Sequence, residues 1–321
     1  MIRVRTGSRL HFGFFDLPAD NAWTGLDGES LLPRLPWGGV GMMLEEPGLS
    51  LTAHAAPEWS ASGPSSQRAL DYAKTISRHL RTGPVEIVVE NCSHEHAGLG
   101  TGTQLALAVG TAIGRLRDAT LFPWDMARML GRGARSCLGI HGFRHGGLLV
   151  EAPHKEDALA PLVARHSFPE DWPIALVIPR GMLGTHGAQE TTAFQSLRQR
   201  RAAASQTEAL SRLVLLHMLP ALAARDLDTF GDALFDFNRR VGDMFRPWQG
   251  GLYSHVRIAQ TIHALRQAGF RAVGQSSWGP TIFAIGEPSI ARKIAESLSA
   301  DVVVTKARNQ PALVAQIASS P

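Results

Sequence analysis

The stretch 98-GLGTGTQLALAVGTAIG-114 decides how the rest of this chain is read. It sets glycines and threonines at the mouth of an apolar run, and three readings compete for it: a membrane span, a phosphate-cradling loop that opens a buried helix, and a flexible turn without chemistry. Residues 97–114 carry no charge, as a span requires, but the opening third is Gly and Thr rather than Leu and Ile. The run VEIVVE at 85–90 reads as a strand before the loop, and a helix is expected over about 103–117 after it. That placement has physical content. The first N–H groups of a helix lack intrahelical partners and the helix dipole adds partial positive charge, so an anion is favoured there. Gly98, Gly100 and Gly102 would let the backbone approach phosphate oxygens, and Thr101 and Thr103 offer hydroxyls, to phosphate or to a divalent cation. No lysine follows the last glycine, so the loop is not a P-loop, and it lies too far from the strand for a dinucleotide fingerprint.

The composition frames these choices. With 321 residues, 44% hydrophobic and 19% charged, the chain can fill one large or two medium domains. Its net charge of +4 comes without a run of like charges, and RQRR at 198–201 is the densest cluster, so nucleic-acid binding is not expected. Lys74, Lys155, Lys293 and Lys306 are the only lysines, and the remaining cations are arginines, whose planar fork suits phosphates and carboxylates. Cys92 and Cys137 have no partner at metal-ligand spacing and are expected to be reduced and buried. The opening MIRVRTGSRLHFGFF alternates like a strand rather than a signal peptide, so the expected location is the cytoplasm, with no membrane partner.

The first half reads as strands with few helices: 2–15, 40–44, 49–53 and 85–90, then helices at 103–117 and 123–132. A Gly/Pro/Trp-rich excursion at 18–39 is expected to be a long surface loop covering a site. Past Pro153 come a strand at 174–178, helical runs at 190–202, 205–223, 226–240 and 252–268, a helix near 288–298 and a strand at 301–305. This order predicts an α+β protein of two domains, 1–160 and 161–321.

A second Gly/Ser loop, 274-GQSSWGP-280, runs into an apolar strand in the other half of the chain. Two such loops, one per half, point to a site between domains. With the N-terminal strand and the GG-plus-strand at 146–150, they resemble the GHMP superfamily of small-molecule kinases over nearly the whole chain. Within it, SRLHFGFFDL (8–17), HAGLGTGTQLALAV (96–109), GRGARSCLGIHGFRHGGLLVE (131–151) and VGQSSWGPTIFAI (273–285) resemble the β-ribofuranosylaminobenzene 5′-phosphate synthase family. That resemblance implies a GHMP-kinase-like fold doing different chemistry: a decarboxylating pentosyl transfer that joins phosphoribosyl pyrophosphate to a para-substituted benzoate. Carbon dioxide and pyrophosphate are released, on the way to methanopterin-type carriers. Kinases of the superfamily carry Ser-Ser where this chain has Thr101-Gly102, and many carry an Asp before the GG. Here 139–145 holds no carboxylate, which suits a reaction that deprotonates no alcohol.

On this reading the 98–103 loop takes pyrophosphate. Gln275, Ser276 and Ser277 close the site from the other domain, and Arg9, His11, Arg135 and Ser136 meet charged ends of the substrates. Mg²⁺ would bridge phosphate oxygens, with Thr101 and Glu190 as candidate ligands. Arg9 and His11 alternate on one strand and so share a face, with Asp16 at its end; a strand-edge ion pair is the plainer alternative. Gln189 and Glu190 also suit a helix start. His94-Glu95-His96 stands at the entry of the phosphate loop, as ligand contact or solvated turn. His141 and His145 have metal spacing for a helix, but the flanking glycines argue against a helix there. The long helices at 205–240 are expected to be core or homodimer surface. Two other functions stay open: an ATP-dependent small-molecule kinase, and a non-catalytic binding protein of the same fold.

Overall fold

The computed structural model of the chain describes residues 1–16, 35–93, 95–155, 158–182, 184 and 204–318. Glu190, Gln189, His94, most of the 18–39 excursion and the 190–202 run lie outside the described residues.

The first half is built on a long antiparallel pair, β1 (Ile2–Asp16) and β2 (Trp37–Ala55). The expected strands at 40–44 and 49–53 are parts of this single β2. Between them the register slips opposite Gly7, where a side chain would overlap the Leu44 carbonyl. The sheet continues with β3 (Ser60–Ser62) and β4 (Val85–Asn91), which pairs with the second half of β2, while β5 (Leu148–Pro153) pairs with the first half.

Four helices belong to this half, against the expectation of few: α1 (Ser66–Leu80), α2 (Thr101–Leu116), α3 (Pro123–Met129) and α4 (Leu138–His145). In α1 the buried Ala69, Tyr72, Ala73 and Ile76 recur at helical spacing. Helix α2, uncharged up to Arg115 in its last turn, is packed into a core with α1 and the sheet, which accounts for its apolar surface. Among the described residues no helix is long and apolar enough to cross a membrane.

The sheet does not end at 160. Strand β6 (Leu162–His166) pairs with β5 in a hairpin, and the late strand β11 (Leu313–Gln316) returns to pair with β1. A division into 1–160 and 161–321 therefore cuts this sheet. The second sheet runs β10 (Ala300–Thr305), β7 (Ile174–Pro179), β9 (Ile282–Ile285), β8 (Ala272–Gln275), all antiparallel. Its helices are α5 (Ala204–Leu213), α6 (Leu219–Ala223, reached through a π turn), α7 (Leu227–Gln249), α8 (Val256–Gln267) and α9 (Pro288–Ser297). An aromatic cluster that includes Phe12, Phe15, Phe168, Trp172, Phe230 and Phe237 joins the two halves. Each such ring contributes about 1.5–3 kcal/mol by burial. Asn238 of α7 locks the joint: its amide nitrogen donates to the carbonyls of Phe12 and Gln275, and its oxygen accepts from the Gln275 N–H.

Candidate active site

The apolar run does form a helix whose glycine loop opens on a cleft. Gly98 and Gly100 have φ of 80° and 70°, the left-handed region, and Gly100 is the residue from which α2 starts. The Thr103 and Gln104 N–H groups turn back to the Gly100 carbonyl, so the helix mouth is tight. The loop is laid against β1 by a bond from the Arg9 N–H to the Leu99 carbonyl.

The cleft has a volume of about 480 Å³ and is lined by both loops, by β1 and by 131–136. Arg9 and His11 both face it, as the alternation of an extended strand requires. Arg135 and Ser136 also line it, with Gly98, Gly100, Thr101, Gly102 and Thr103. Thr101 is a poorer free hydroxyl than the sequence suggests, because its Oγ1 lies 2.6 Å from Ser93 Oγ.

Two arginines absent from the sequence reading complete the cage. Arg68 and Arg132 flank the helix mouth so closely that a side chain at Gly102 would meet both guanidiniums. Both hydrogen-bond the Tyr72 hydroxyl, and Arg68 also pairs with Glu95 at 3.2 Å. Arg9, Arg68, Arg132 and Arg135 thus converge on one helix N-terminus. Among the described lining residues Glu95 is the only carboxylate. The net field favours a polyanion.

Behind this wall lies Glu151 of β5, fully buried, a residue that no motif in the sequence singles out. Its Oε2 accepts from the Cys137 N–H at 2.8 Å and it bonds Ser136, so it holds the start of α4. Burial raises its carboxyl to about 7, against the opposing pull of Ser136, Cys137 and Arg9. Cys137, buried beside it, has its thiol pushed up to about 12 by burial and is no nucleophile. Cys92, expected to be buried, is half-buried.

His11 is 2% exposed, its ring packed 4.4 Å from that of Phe14. Burial, with Arg9 and Arg135 adding repulsion, holds its imidazole well below the ordinary histidine range, so it is neutral at neutral pH. His141 and His145 do lie on a helix, contrary to expectation. Gly139 and Gly142 let α4 close on Thr103 and Met43, and this packing outweighs the helix cost of glycine. His141 Nε2 is bonded to the Ala160 carbonyl, and no cluster of three or more metal-ligating side chains occurs among the described residues.

The second loop is only partly a site. Ser276 is fully buried, donating from its hydroxyl to the Gly98 carbonyl and accepting from the His11 N–H. The Gln275 amide bonds Ser254 and the Gly279 carbonyl. Those two side chains are therefore framework, and Ser277 is the member of the three that lines the cleft.

A two-domain GHMP kinase fold is the class that these sheets and this cleft define. Residues 67–147 match the GHMP kinases N terminal domain and 218–304 the GHMP kinases C terminal family. The fold is shared with homoserine kinase from Cytophaga hutchinsonii, with a TM-score of 0.67 and 16% identity over 98% of this chain and 97% of that one. It is also shared with mevalonate diphosphate decarboxylase from Staphylococcus aureus, with a TM-score of 0.62 and 13% identity over 98% of this chain and 99% of that one. Closer in sequence is a beta-ribofuranosylphenol 5′-phosphate synthase of Archaeoglobus fulgidus, 30% identical over an alignment of 334 positions that covers 97% of this chain and 98% of that one. The protein of that name in Methanothermobacter thermautotrophicus is 28% identical, covering 97% of this chain and 98% of that one. The chain belongs to this synthase family.

Proposed function

We propose that the protein joins phosphoribosyl pyrophosphate to a para-substituted benzoate, with loss of carbon dioxide and pyrophosphate. The observation that carries this reading is the cage of Arg9, Arg68, Arg132 and Arg135 around the N-terminus of α2, beside a pocket walled by aromatic rings. The ribose C1–oxygen bond breaks with its electron pair leaving on pyrophosphate. The ring carbon that bears the carboxylate forms the new bond to C1. The bond to the carboxyl carbon then breaks, its electrons restore the aromatic ring, and carbon dioxide departs. The arginines and helix N–H groups stabilise the departing charge and hold the reactants in line. No step needs a covalent nucleophile.

Mg²⁺ fits this site as a metal carried on the diphosphate rather than caged by protein, because Mg²⁺ keeps few protein ligands. The Thr101 hydroxyl and the Glu95 carboxylate are among the oxygen donors that the described cleft would offer it, with the Thr103, Ser136 and Ser277 hydroxyls. When bound, the metal would neutralise pyrophosphate oxygens. The relatives carry a phenol in their names, which favours 4-hydroxybenzoate over 4-aminobenzoate as the acceptor.

The test is release of labelled carbon dioxide from carboxyl-labelled 4-hydroxybenzoate or 4-aminobenzoate, with phosphoribosyl pyrophosphate and magnesium. Benzoate without the donor group should be inert, and chelation of magnesium should stop the reaction. Release from neither acid, together with ATP consumption against a small alcohol, would replace this reading with a kinase.

A further inference from the structure

A second cavity, of about 40 Å³, adjoins the arginine cleft and shares His11, Phe14, Ser277 and Trp278 with it. Its walls are unlike those of the cleft. Phe12, Phe14, Val241, Phe245, Leu252 and Trp278 give it an apolar side, and among the described residues no arginine or lysine lines it. The Phe245 and Trp278 rings meet edge to face at 5.1 Å. Its polar side chains are mostly committed, Gln275 to Ser254 and the Gly279 carbonyl. Asn238 is saturated by backbone, and the Gln249 amide nitrogen donates to the carbonyls of Gly242 and Leu252, which fixes its Oε1 as an acceptor. Tyr253 adds a hydroxyl, kept protonated because burial pushes it up to about 12. A space of this size holds about one or two heavy atoms, not a ring.

The ends of a para-substituted benzoate sort themselves between the two spaces. The carboxylate would lose its solvation in a chamber whose described walls offer no cation and belongs with the arginines. The neutral donor group can enter the chamber if a hydrogen-bond partner waits there. We propose that this chamber is the subsite for the para substituent: the ring stands between His11, Phe14 and Trp278, its reacting carbon faces the glycine-loop cleft, and its hydroxyl or amino group reaches Tyr253 and Gln249. The enzyme then selects its acceptor by the size of the donor group as well as by its electronics. This rests on the reaction proposed above.

The acceptor series separates size from electronics, because a dimethylamino group releases electrons at least as well as an amino group but adds two carbons. Wild-type protein should turn over 4-hydroxybenzoate and 4-aminobenzoate, with kcat/KM for 4-(dimethylamino)benzoate about 100-fold below that for 4-aminobenzoate. Leu252→Ala, at a half-buried position, should narrow that gap about tenfold or more. Val241→Ala enlarges the same chamber from another wall and serves if the first variant unfolds. Equal use of the dimethylamino acid by wild type, or an unchanged gap in folded variants, would overturn the assignment. Should wild type release no carbon dioxide from any acid, the reaction proposal falls and calorimetric binding of the acids decides the chamber. Preference for the hydroxy acid that Leu252→Ala relaxes would keep it, and no binding would remove it.

Discussion

The loop at 98–103 presents the start of a helix to the cleft, whereas the loop at 275–280 turns Gln275 and Ser276 inward, into the joint between the two halves. Both are short runs of Gly with Ser or Thr beside an apolar element. The first opens a helix whose positive end faces the cleft, and arginines from three segments gather around it. The second is a bend between β8 and β9, and Ser276, Gln275 and Gly279 are consumed in binding β1, the 97–98 backbone and Ser254. What separates the two is the element that follows the glycines rather than the glycines themselves. A helix leaves N–H groups unpaired, and an antiparallel strand pair does not.

The comparison breaks most sharply within the first loop. A Cβ at Gly98 would stand 2.3 Å from the Ser276 carbonyl oxygen, and φ there is left-handed. At Gly102 the nearest atoms are the ends of arginine side chains, which can move. Gly98→Val should therefore cost on the order of 4 kcal/mol of stability and about 10 °C in Tm. Gly102→Val should stay folded and lose about 2–4 kcal/mol of transition-state stabilisation, about 30- to 1,000-fold in kcat/KM. Thermal unfolding and initial rates on both variants give the answer. Equal destabilisation would mean that Gly102 is framework too.

Glu151 sharpens the comparison on the cleft side. Its folded carboxyl titrates at about 7, above the unfolded value near 4.5, so the folded protein holds the proton more tightly between those limits. That stabilisation is complete below pH 4.5 and is lost as pH rises through 7. Glu151→Gln keeps an oxygen for the Cys137 N–H but cannot ionise. Relative to this variant, wild type should lose about 2–3 kcal/mol between pH 5 and pH 8. Urea titrations at the two pH values check it, and parallel pH dependence in the two proteins would refute it.

Much of this was legible in the sequence, and what was hidden has identifiable causes. The loop-then-helix at 98–116 announced itself because glycine chemistry and apolar periodicity coincide there. Arg9 and His11 were legible together because strand alternation fixes which residues share a face. Arg68 and Arg132 were not, because nothing local distinguishes them among many arginines; only the packing of α1 beside α2 brings Arg68 to Gly102. Helix α1 was obscured by its small buried residues, Ala69 and Ala73, which weaken the apolar stripe. Helix α4 was misjudged because glycine's helix penalty is local, while the contacts of Gly139 and Gly142 that outweigh it are tertiary. Glu151 gave no signal at all, since a carboxylate at the end of an apolar strand usually marks solvent.

The smallest expected effects come from two neighbouring serines of the second loop, and they test the inward-facing half of the comparison. Ser276 Oγ donates to the Gly98 carbonyl at 2.8 Å and accepts from the His11 N–H at 3.1 Å, with no exposure. Ser276→Ala strands a buried donor and a buried acceptor, and should cost about 2 kcal/mol of stability. Ser277 has a left-handed φ of 55°, which alanine must also adopt, and its N–H still reaches the His11 carbonyl after the substitution. Ser277→Ala should therefore change stability by less than about 0.5 kcal/mol, while KM rises about fivefold if the hydroxyl meets substrate. Thermal unfolding separates the first effect and initial-rate kinetics the second. A Ser276→Ala protein of unchanged stability but reduced kcat/KM would show that the second loop, like the first, presents its hydroxyls to the substrate.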